Sequence, residues 1–533
     1  MKDNTLDNDD NKFEVIRLVN DGNSIAEIAR MFGLSSKTIS KFMLKKTYKQ
    51  FWANNQKPIA AGQFYDHHHS IRKAKGNRFI LTSAQNNTFV HSAFLSALEN
   101  YAEFTGAQII VGTFSYNKSG FQNLEKSEAE WFDNKIKEYI IDEPLKLAED
   151  LIWCGELNIL PTAVNPLSGF HSYTKSSSGI IPHAKLQMES LPRQKHADPR
   201  FAYTTGCVTQ RNYIQKNAGQ KASFHHIFGA LMVEVDKEGD WFVRQLIADT
   251  DTGSFHDLDH FATHEGVYQI DGVEAINWGD IHAEKLDVKV ADVSFGSKNS
   301  ILDTLRPRYQ FVHDVLDFEA RNHHNINDPY FRFQAHIRGK EAVINNVRSV
   351  ARVLRDMARS YCTTVVVESN HDLALQKWLK TSDYRNDPVN ALFFLQCQYE
   401  TYKELSKGND SFSVFEYALS VVDPTLDVTC LKVDESFMIC GDNGIECGNH
   451  GHTGINGSRG SALGYTKLGS RINIGHSHSA RIIDGVYQAG VTGNLDMGYN
   501  VGGTTWSNSH IVTYANSKRT ILTIKNGKWR LPL

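Results

Sequence analysis

Apolar residues recur at helical spacing near the start of the chain and in short strand-like runs through most of the rest. In "KFEVIRLVNDG", Phe13, Ile16 and Val19 repeat every third residue, which predicts a helix from Lys12 that ends at Gly22. "NSIAEIARMFGLSSKTISKFMLKK" predicts two more. Ser24 and Glu27 stand at capping-box spacing, and Ile25, Ile28 and Ala29 give the first of these an apolar face. "FGLS" makes a glycine turn, and the last helix, Ser36 to Lys45, turns Ile39 and Phe42 inward. Residues 1–11 read as a disordered acidic lead. A polar linker follows the third helix and contains His67, His68 and His69, adjacent side chains that diverge and so suit solvent better than a shared ion.

Beyond Arg78 the pattern mixes. "RFILTSA" predicts a strand, "VHSAFLSALENYAEF" a helix and "AQIIVGTF" a strand, a β-α-β opening of an α/β domain. "SFHDLDHFATHEG" sets His256, His260 and His264 at i, i+4 and i+8, one face of a short helix and a conceivable metal site. "TQRNYIQKNAGQK", residues 209–221, is locally basic and suits a phosphate backbone or a solvated loop equally. From Val273 onward, short Val- and Ile-rich strands end abruptly in polar clusters.

At 533 residues the chain exceeds one ordinary core, and 41% apolar with 22% charged residues is a globular composition. A net charge of −3 gives no global field for nucleic acid, so such binding has to come from local patches. Seven scattered cysteines without a CxxC pair point to reduced thiols in a cytosolic protein, against a disulfide framework or a zinc ribbon. Neither a signal core nor a run of eighteen apolar residues occurs, so neither secretion nor a membrane span is expected.

The chemistry lies in the clusters that follow the strand-like runs. "VEAINWGDIHAE" offers Asp280 and His282, "RYQFVHDVLDFEARNHH" Asp314 and Asp317, and "TTVVVESNHD" Asn370, His371 and Asp372. "ECGNHGHTGINGSRG" offers His450 and His452, and "INIGHSHSA" His476 and His478. Ligands gather beyond the carboxyl ends of strands in open α/β sheets, so this layout is that of an active site. Residues i and i+2 share a face in extended chain, which would send His476 and His478 to one side. All these donors are nitrogen or oxygen, which suits manganese, iron or zinc rather than a thiolate zinc knot.

The order DxH, DxxD, NHD, HG, GHxH resembles the calcineurin-like metallophosphoesterase superfamily over roughly residues 271–485. That resemblance implies an α/β (α+β) fold, a four-layer sandwich of mixed sheets flanked by helices, preceded here by the N-terminal helices, which form a helix-turn-helix arrangement, and by an additional α/β region. It implies two divalent ions, Mn2+ foremost, with Fe or Zn as alternatives. Asp280, His282 and His478 would hold one; Asn370, His476 and the fourth-motif histidine the other; Asp314 would bridge them. His371 would protonate the leaving group with Asp372 orienting it, and Arg459 would meet phosphate oxygens. The chain departs from the family's pattern where His313 replaces the glycine before Asp314. His450, which directly precedes a glycine, is preferred as fourth-motif ligand, with His452 left open.

Residues 12–46 resemble DNA-binding helix-turn-helix modules, with Ser36, Lys37, Thr38 and Lys41 on the exposed side of the recognition helix. The expected organisation is therefore a DNA-binding module over 1–56, an α/β middle domain over 57–272 and a metallophosphoesterase domain over 273–533. "INWGDIH", "LRPRYQFVHDVLDFEARNHH" and "NGSRGS" also resemble early DNA-transfer and DNA-degrading proteins of tailed bacteriophages. The implied function is a metal-dependent DNase, phage-encoded, degrading host DNA in the host cytoplasm. DNA is the expected partner, self-association is left open and no membrane is involved. The alternatives are a phosphodiesterase or phosphatase acting on a small nucleotide, and a catalytically silent DNA-binding regulator.

Overall fold

The computed structural model describes residues 6, 9–20, 23–44, 71–116, 130–322, 325–441 and 444–532, and divides into two units, Met1–Ile71 and Arg72–Leu533. The first unit holds three helices, α1 (Asp9–Asn20), α2 (Ile25–Met31) and α3 (Ser36–Leu44). Ser24 caps α2 in a full capping box: its hydroxyl accepts from Glu27 N while the Glu27 carboxylate accepts from Ser24 N at 2.8 Å. Gly33, at φ +61°, makes the turn into α3. The core is Val15, Ile28, Ala29, Ile39 and Phe42. Three readings need correction. Helix α1 begins at Asp9, inside the expected lead, and buries Val15, with Ile16 half-buried. Ile25 is exposed. Thr38 is half-buried, its hydroxyl 2.8 Å from that of Ser35, while Ser36, Lys37 and Lys41 are exposed as expected. His67–His69 and the side chains of Phe13 and Val19 lie outside the described residues.

In the second unit the chain runs through β1 (Arg78–Gln85), β2 (Gln108–Phe114), β3 (Pro144–Ala148), β4 (Leu151–Cys154), β5 (Ser178–Ile181), β6 (Met188–Leu191), β7 (Arg200–Thr204), β8 (Gly229–Val235) and β9 (Trp241–Ile247). A small antiparallel sheet follows, β10 (Phe255–Asp257), β11 (His260–Thr263) and β12 (Gly266–Gln269). The remainder is β13 (Ala275–Asn277), β14 (Tyr309–His313), β15 (Thr363–Val367), β16 (Thr429–Leu431), β17 (Met438–Ile439), β18 (Ile445–Glu446), β19 (Ile472–Ile474), β20 (Arg481–Ile483), β21 (Val486–Gln488), β22 (Ser509–Thr513) and β23 (Arg519–Thr523).

Three larger sheets result, in the orders β2-β1-β8-β9, β16-β15-β14-β13-β22-β23 and β17-β18-β19-β21-β20-β6-β7-β5-β4-β3. The predicted β-α-β opening is present: β1 and β2 pair in parallel across helix α4 (Ser92–Thr105), whose Phe94, Leu95 and Leu98 are buried. Helix α5 (Val343–Met357) buries Val343, Val347, Val350 and Leu354 against Ile276, Val312 and Val366 of the six-stranded sheet. Each such side chain contributes about 1.5–3 kcal/mol by leaving water. The opposite faces of the four- and six-stranded sheets pack on the ten-stranded sheet, Leu81, Val233 and Ile511 meeting Met188, Tyr203 and Tyr487.

The regions 57–272 and 273–533 are not separate bodies. β6 of the one pairs with β20 of the other inside a single sheet, so their backbones share one hydrogen-bonded core. The spacing of His256, His260 and His264 does not make a helix face either. Leu258 takes φ +53° and turns the chain, so that His256 lies opposite Phe261 and His260 opposite Asp257 in a hairpin.

Candidate metal centre

β13, β14 and β15 run parallel, and their carboxyl ends deliver Asp280 and His282, Asp314, and Asn370 with His371 to one edge. β18 and β19 of the facing sheet deliver His450, His476 and His478. Backbone bonds lock the loops together: His282 N donates to Asp314 O at 2.8 Å, and Gly475 N to His450 O at 2.8 Å. His476 N donates to the Asp280 carboxylate at 2.8 Å. Gly475 is required there, because a Cβ would fall 2.2 Å from Asp280 Oδ1.

The two histidines of "GHSH" do not leave an extended strand on one side. β19 ends at Ile474, and His476 and His478 take φ +73° and +57°; His282 and Asp314 are left-handed too, at +47° and +43°. Each such non-glycine residue costs about 1–3 kcal/mol and persists only where its surroundings hold it. Four of them ring one point. The turn falls on Asp314 itself, and His313 ends β14 fully buried.

The side chains converge in three overlapping groups: Asp280, His282, Asp314 and His478; Asp314, His450 and His476; and His282, Asp317 and His371. His478 Nε2 lies 3.2 Å from Asp280 Oδ2 and 3.1 Å from His282 Nε2. Asp314 Oδ2 lies 3.4 Å from His450 Nε2 and 3.6 Å from His282 Nε2, so this one carboxylate belongs to two of the groups. His452 stays outside them, half-buried with its ring 5.4 Å from that of His450.

Burial opposes charge on both carboxylates. The neighbouring histidines, His478 beside Asp280 and His450 beside Asp314, outweigh it and hold both below the usual range. Burial also opposes charge on His282, but the Asp317 hydrogen bond and the surrounding carboxylates push it up to about 9. Asp280 Oδ1, Asp314 Oδ1, His478 Nδ1 and both ring nitrogens of His450 are buried without a hydrogen-bond partner among the described residues. Leaving that many buried donors and acceptors unmatched is costly. A cation fits among them, and this donor set of carboxylate and imidazole could hold one.

Two supporting residues lie outside the ligand and catalytic set assigned from the sequence. Asp317 Oδ1 sits 3.0 Å from His282 Nδ1, the second ring nitrogen, and so fixes which nitrogen faces the centre. Glu284 braces that turn, accepting from Asp317 N at 2.9 Å and Phe318 N at 3.0 Å. Asp317 was visible in DxxD, whereas nothing in the spacing marks Glu284. Asp372 does not orient His371. Its carboxylate accepts from Leu316 N, Ser369 N and the Ser369 hydroxyl, and burial with the nearby Asp314 charge pushes it up to about 7. His371 is held instead by Asp317, with Nδ1 3.2 Å from its carbonyl oxygen. Asp314, Asn370, His371, Arg459, His476 and His478 line a cleft of about 500 Å³, with Tyr499 and Trp506 on its wall.

Residues 10–49 match the CENP-B N-terminal DNA-binding domain, in agreement with the three helices of the first unit. Protein A1 of Escherichia phage T5 is 44% identical over 486 residues, covering 89% of this chain and 87% of that protein. No solved structure matches the chain.

Proposed function

Because the chain belongs to the family of protein A1 of Escherichia phage T5 and carries an N-terminal DNA-binding domain, we propose that it is a phage metallophosphoesterase that hydrolyses DNA. The observation that carries this reading is the meeting of five separated motifs at one cleft, with carboxylate and imidazole atoms buried and unmatched. Asp280, His282 and His478 would hold one ion and Asn370, His450 and His476 the other, with Asp314 shared between them. When bound, two divalent ions, manganese foremost, supply Lewis acidity toward phosphoryl oxygens and lower the pKa of water.

The chain's own groups do the rest. His371, tied through Nδ1 to the Asp317 carbonyl, presents Nε2 to the departing oxygen and donates the proton there. Arg459, exposed at the cleft rim, pairs with phosphate oxygens. The helix-turn-helix raises the local concentration of DNA by linkage, with Ser36, Lys37 and Lys41 toward the duplex. Degradation of host DNA in the host cytoplasm follows as the biological setting.

Purified protein is incubated with duplex and single-stranded DNA and a series of divalent metals, with mononucleotide and cyclic-nucleotide esters in parallel. The expected result is cleavage of DNA with Mn2+ that Asp314→Ala abolishes. No cleavage with any metal, full cleavage by Asp314→Ala, or activity confined to the small esters overturns the reading.

A further inference from the structure

Nine strands of the second unit repeat in chain order. β1, β2, β3, β4, β5, β6, β7, β8 and β9 correspond to β13, β14, β17, β18, β19, β20, β21, β22 and β23. β1 pairs in parallel with β2 and antiparallel with β8, which pairs antiparallel with β9; β13, β14, β22 and β23 do the same. β3-β4 is antiparallel, β4-β5 and β5-β7 are parallel and β7-β6 is antiparallel; β17-β18, β18-β19, β19-β21 and β21-β20 follow suit.

Register agrees as well as sense. Ile180 lies opposite Tyr203 as Asn473 lies opposite Tyr487, and those tyrosines pair in turn with Met188 and Ile482. Met188 and Ile482, equivalent by that count, pair with each other where β6 meets β20. A contact between equivalent residues in an antiparallel pair is what a two-fold axis requires. At the other junction Gln245 Oε1 accepts from Ile521 N at 2.8 Å and from the Thr520 hydroxyl, joining β9 to β23.

The equivalence carries through to the metal donors. Pro182, His183 and Lys185 fall at the steps of Gly475, His476 and His478. Val208 N donates to Ser83 O as Thr492 N donates to Asp280 O, each donor two residues past the matched Gly206 and Gly490. Ser83 therefore stands for Asp280, and Gln85 for His282. Pro182 makes the loss self-consistent: its counterpart Gly475 leaves no room for a Cβ beside Asp280 Oδ1, whereas a serine leaves that room. Lys185 is tied to the Val164 carbonyl and to Asp484, each at 2.8 Å, and His183 Nε2 lies 3.2 Å from the Leu160 carbonyl. The segment that brings Asn370 and His371, between β14 and β17, has only residues 115–143 as its counterpart.

We infer that residues 78–247 and 275–523 are two copies of one phosphoesterase-like unit, docked as a dimer docks, the first copy stripped of its metal donors and kept as a partner. That copy completes the working site, because Glu189 and Ser190 of β6 line the cleft beside His478, with Glu189 3.7 Å from Arg481 across the junction. The assignment of donors in the second copy rests on the function proposed above; the repeat itself does not.

Two experiments on the full chain test the two parts. In the first, Ser83→Asp, Gln85→His, Pro182→Gly and Lys185→His are combined to restore the counterparts of Asp280, His282 and His478, the three donors given to one ion. Co2+ content is then read by elemental analysis and by the visible absorption of the bound ion. The expected result is one bound Co2+ more per chain than the parent; a folded variant with no additional ion overturns the inference. In the second, which needs neither metal nor rebuilt donors, a protease site is inserted between the exposed His264 and Glu265. The cut chain is separated in denaturant, remixed and refolded. A 1:1 complex is expected, and fragments that fail to recombine overturn the docking of two copies whatever the chemistry of the cleft.

Discussion

Replacing Asp317 by asparagine tests how the centre is held, because Asp317 is not itself among the donors assigned to the ions. Its Oδ1 lies 3.0 Å from His282 Nδ1, both groups are buried, and this bond, with the charges of Asp314, Asp317 and Asp280, raises His282 to about 9 against burial. The carboxylate fixes Nδ1 as the protonated nitrogen, so that Nε2 would be the one to meet an ion. The amide of Asp317→Asn keeps the volume but gives up the charge, and it can equally present NH2 to the ring. Loss of such an outer partner typically lowers metal affinity 10–100-fold, about 1.4–2.7 kcal/mol. Equilibrium dialysis against Mn2+, with hydrolysis of a small model diester read at rising Mn2+, measures it. Weaker binding is expected, with turnover recovering toward the parent's as Mn2+ approaches saturation. A variant that binds Mn2+ as tightly as the parent would refute the reasoning.

Three further outcomes are expected. His371→Asn should slow diester hydrolysis about 10²–10⁴-fold while keeping the full ion content, and loss of metal in that variant would show the residue to be a ligand instead. Removing residues 1–56 should weaken DNA binding and flatten its salt dependence while leaving hydrolysis of a small diester intact; equal loss of both would contradict separate roles. Burial holds His183 and His226 down to about 4 and 3, so below about 6.5 the unfolded chain binds protons that the folded chain does not. Their stabilisation is complete above that pH and falls by about 1.4 kcal/mol per histidine per pH unit below it. The urea midpoint should therefore drop between pH 7.5 and 5.5, and a midpoint that held or rose would contradict this.

The helix-turn-helix was legible because its signals are local: the Ser24 and Glu27 box, the Gly33 turn and the apolar period of Ile39 and Phe42 each act within about one turn of helix. The residues of the buried cluster were legible in identity, since an apolar run stopping at Asp280, Asp314 or His476 is a feature of the chain itself. Their geometry was not. An i, i+2 pair reads as one strand face, yet the left-handed backbone at His476 and His478 is imposed by loops packed from elsewhere, including the Asp280 carboxylate on His476 N. Asp372 looked like a partner for its neighbour His371, but its carboxylate is claimed by backbone amides of Leu316 and Ser369, the first of them far off in sequence. The hairpin at His256–His264 was missed because three histidines four apart imitate a helix period while Leu258 breaks it. The separate middle domain was expected because long-range pairing such as β6 with β20 leaves no periodic trace. The repeat of strands is equally silent in composition, surviving in isolated matches such as Tyr203 with Tyr487 and Gly206 with Gly490.

Anomalous diffraction at the manganese edge, from crystals of the full chain grown with Mn2+, reads the centre itself. Two peaks should appear, one among Asp280, His282 and His478 and one among Asn370, His450 and His476, with the Asp314 carboxylate between them. No peak at that cleft, or manganese bound only at a remote site, would contradict the account.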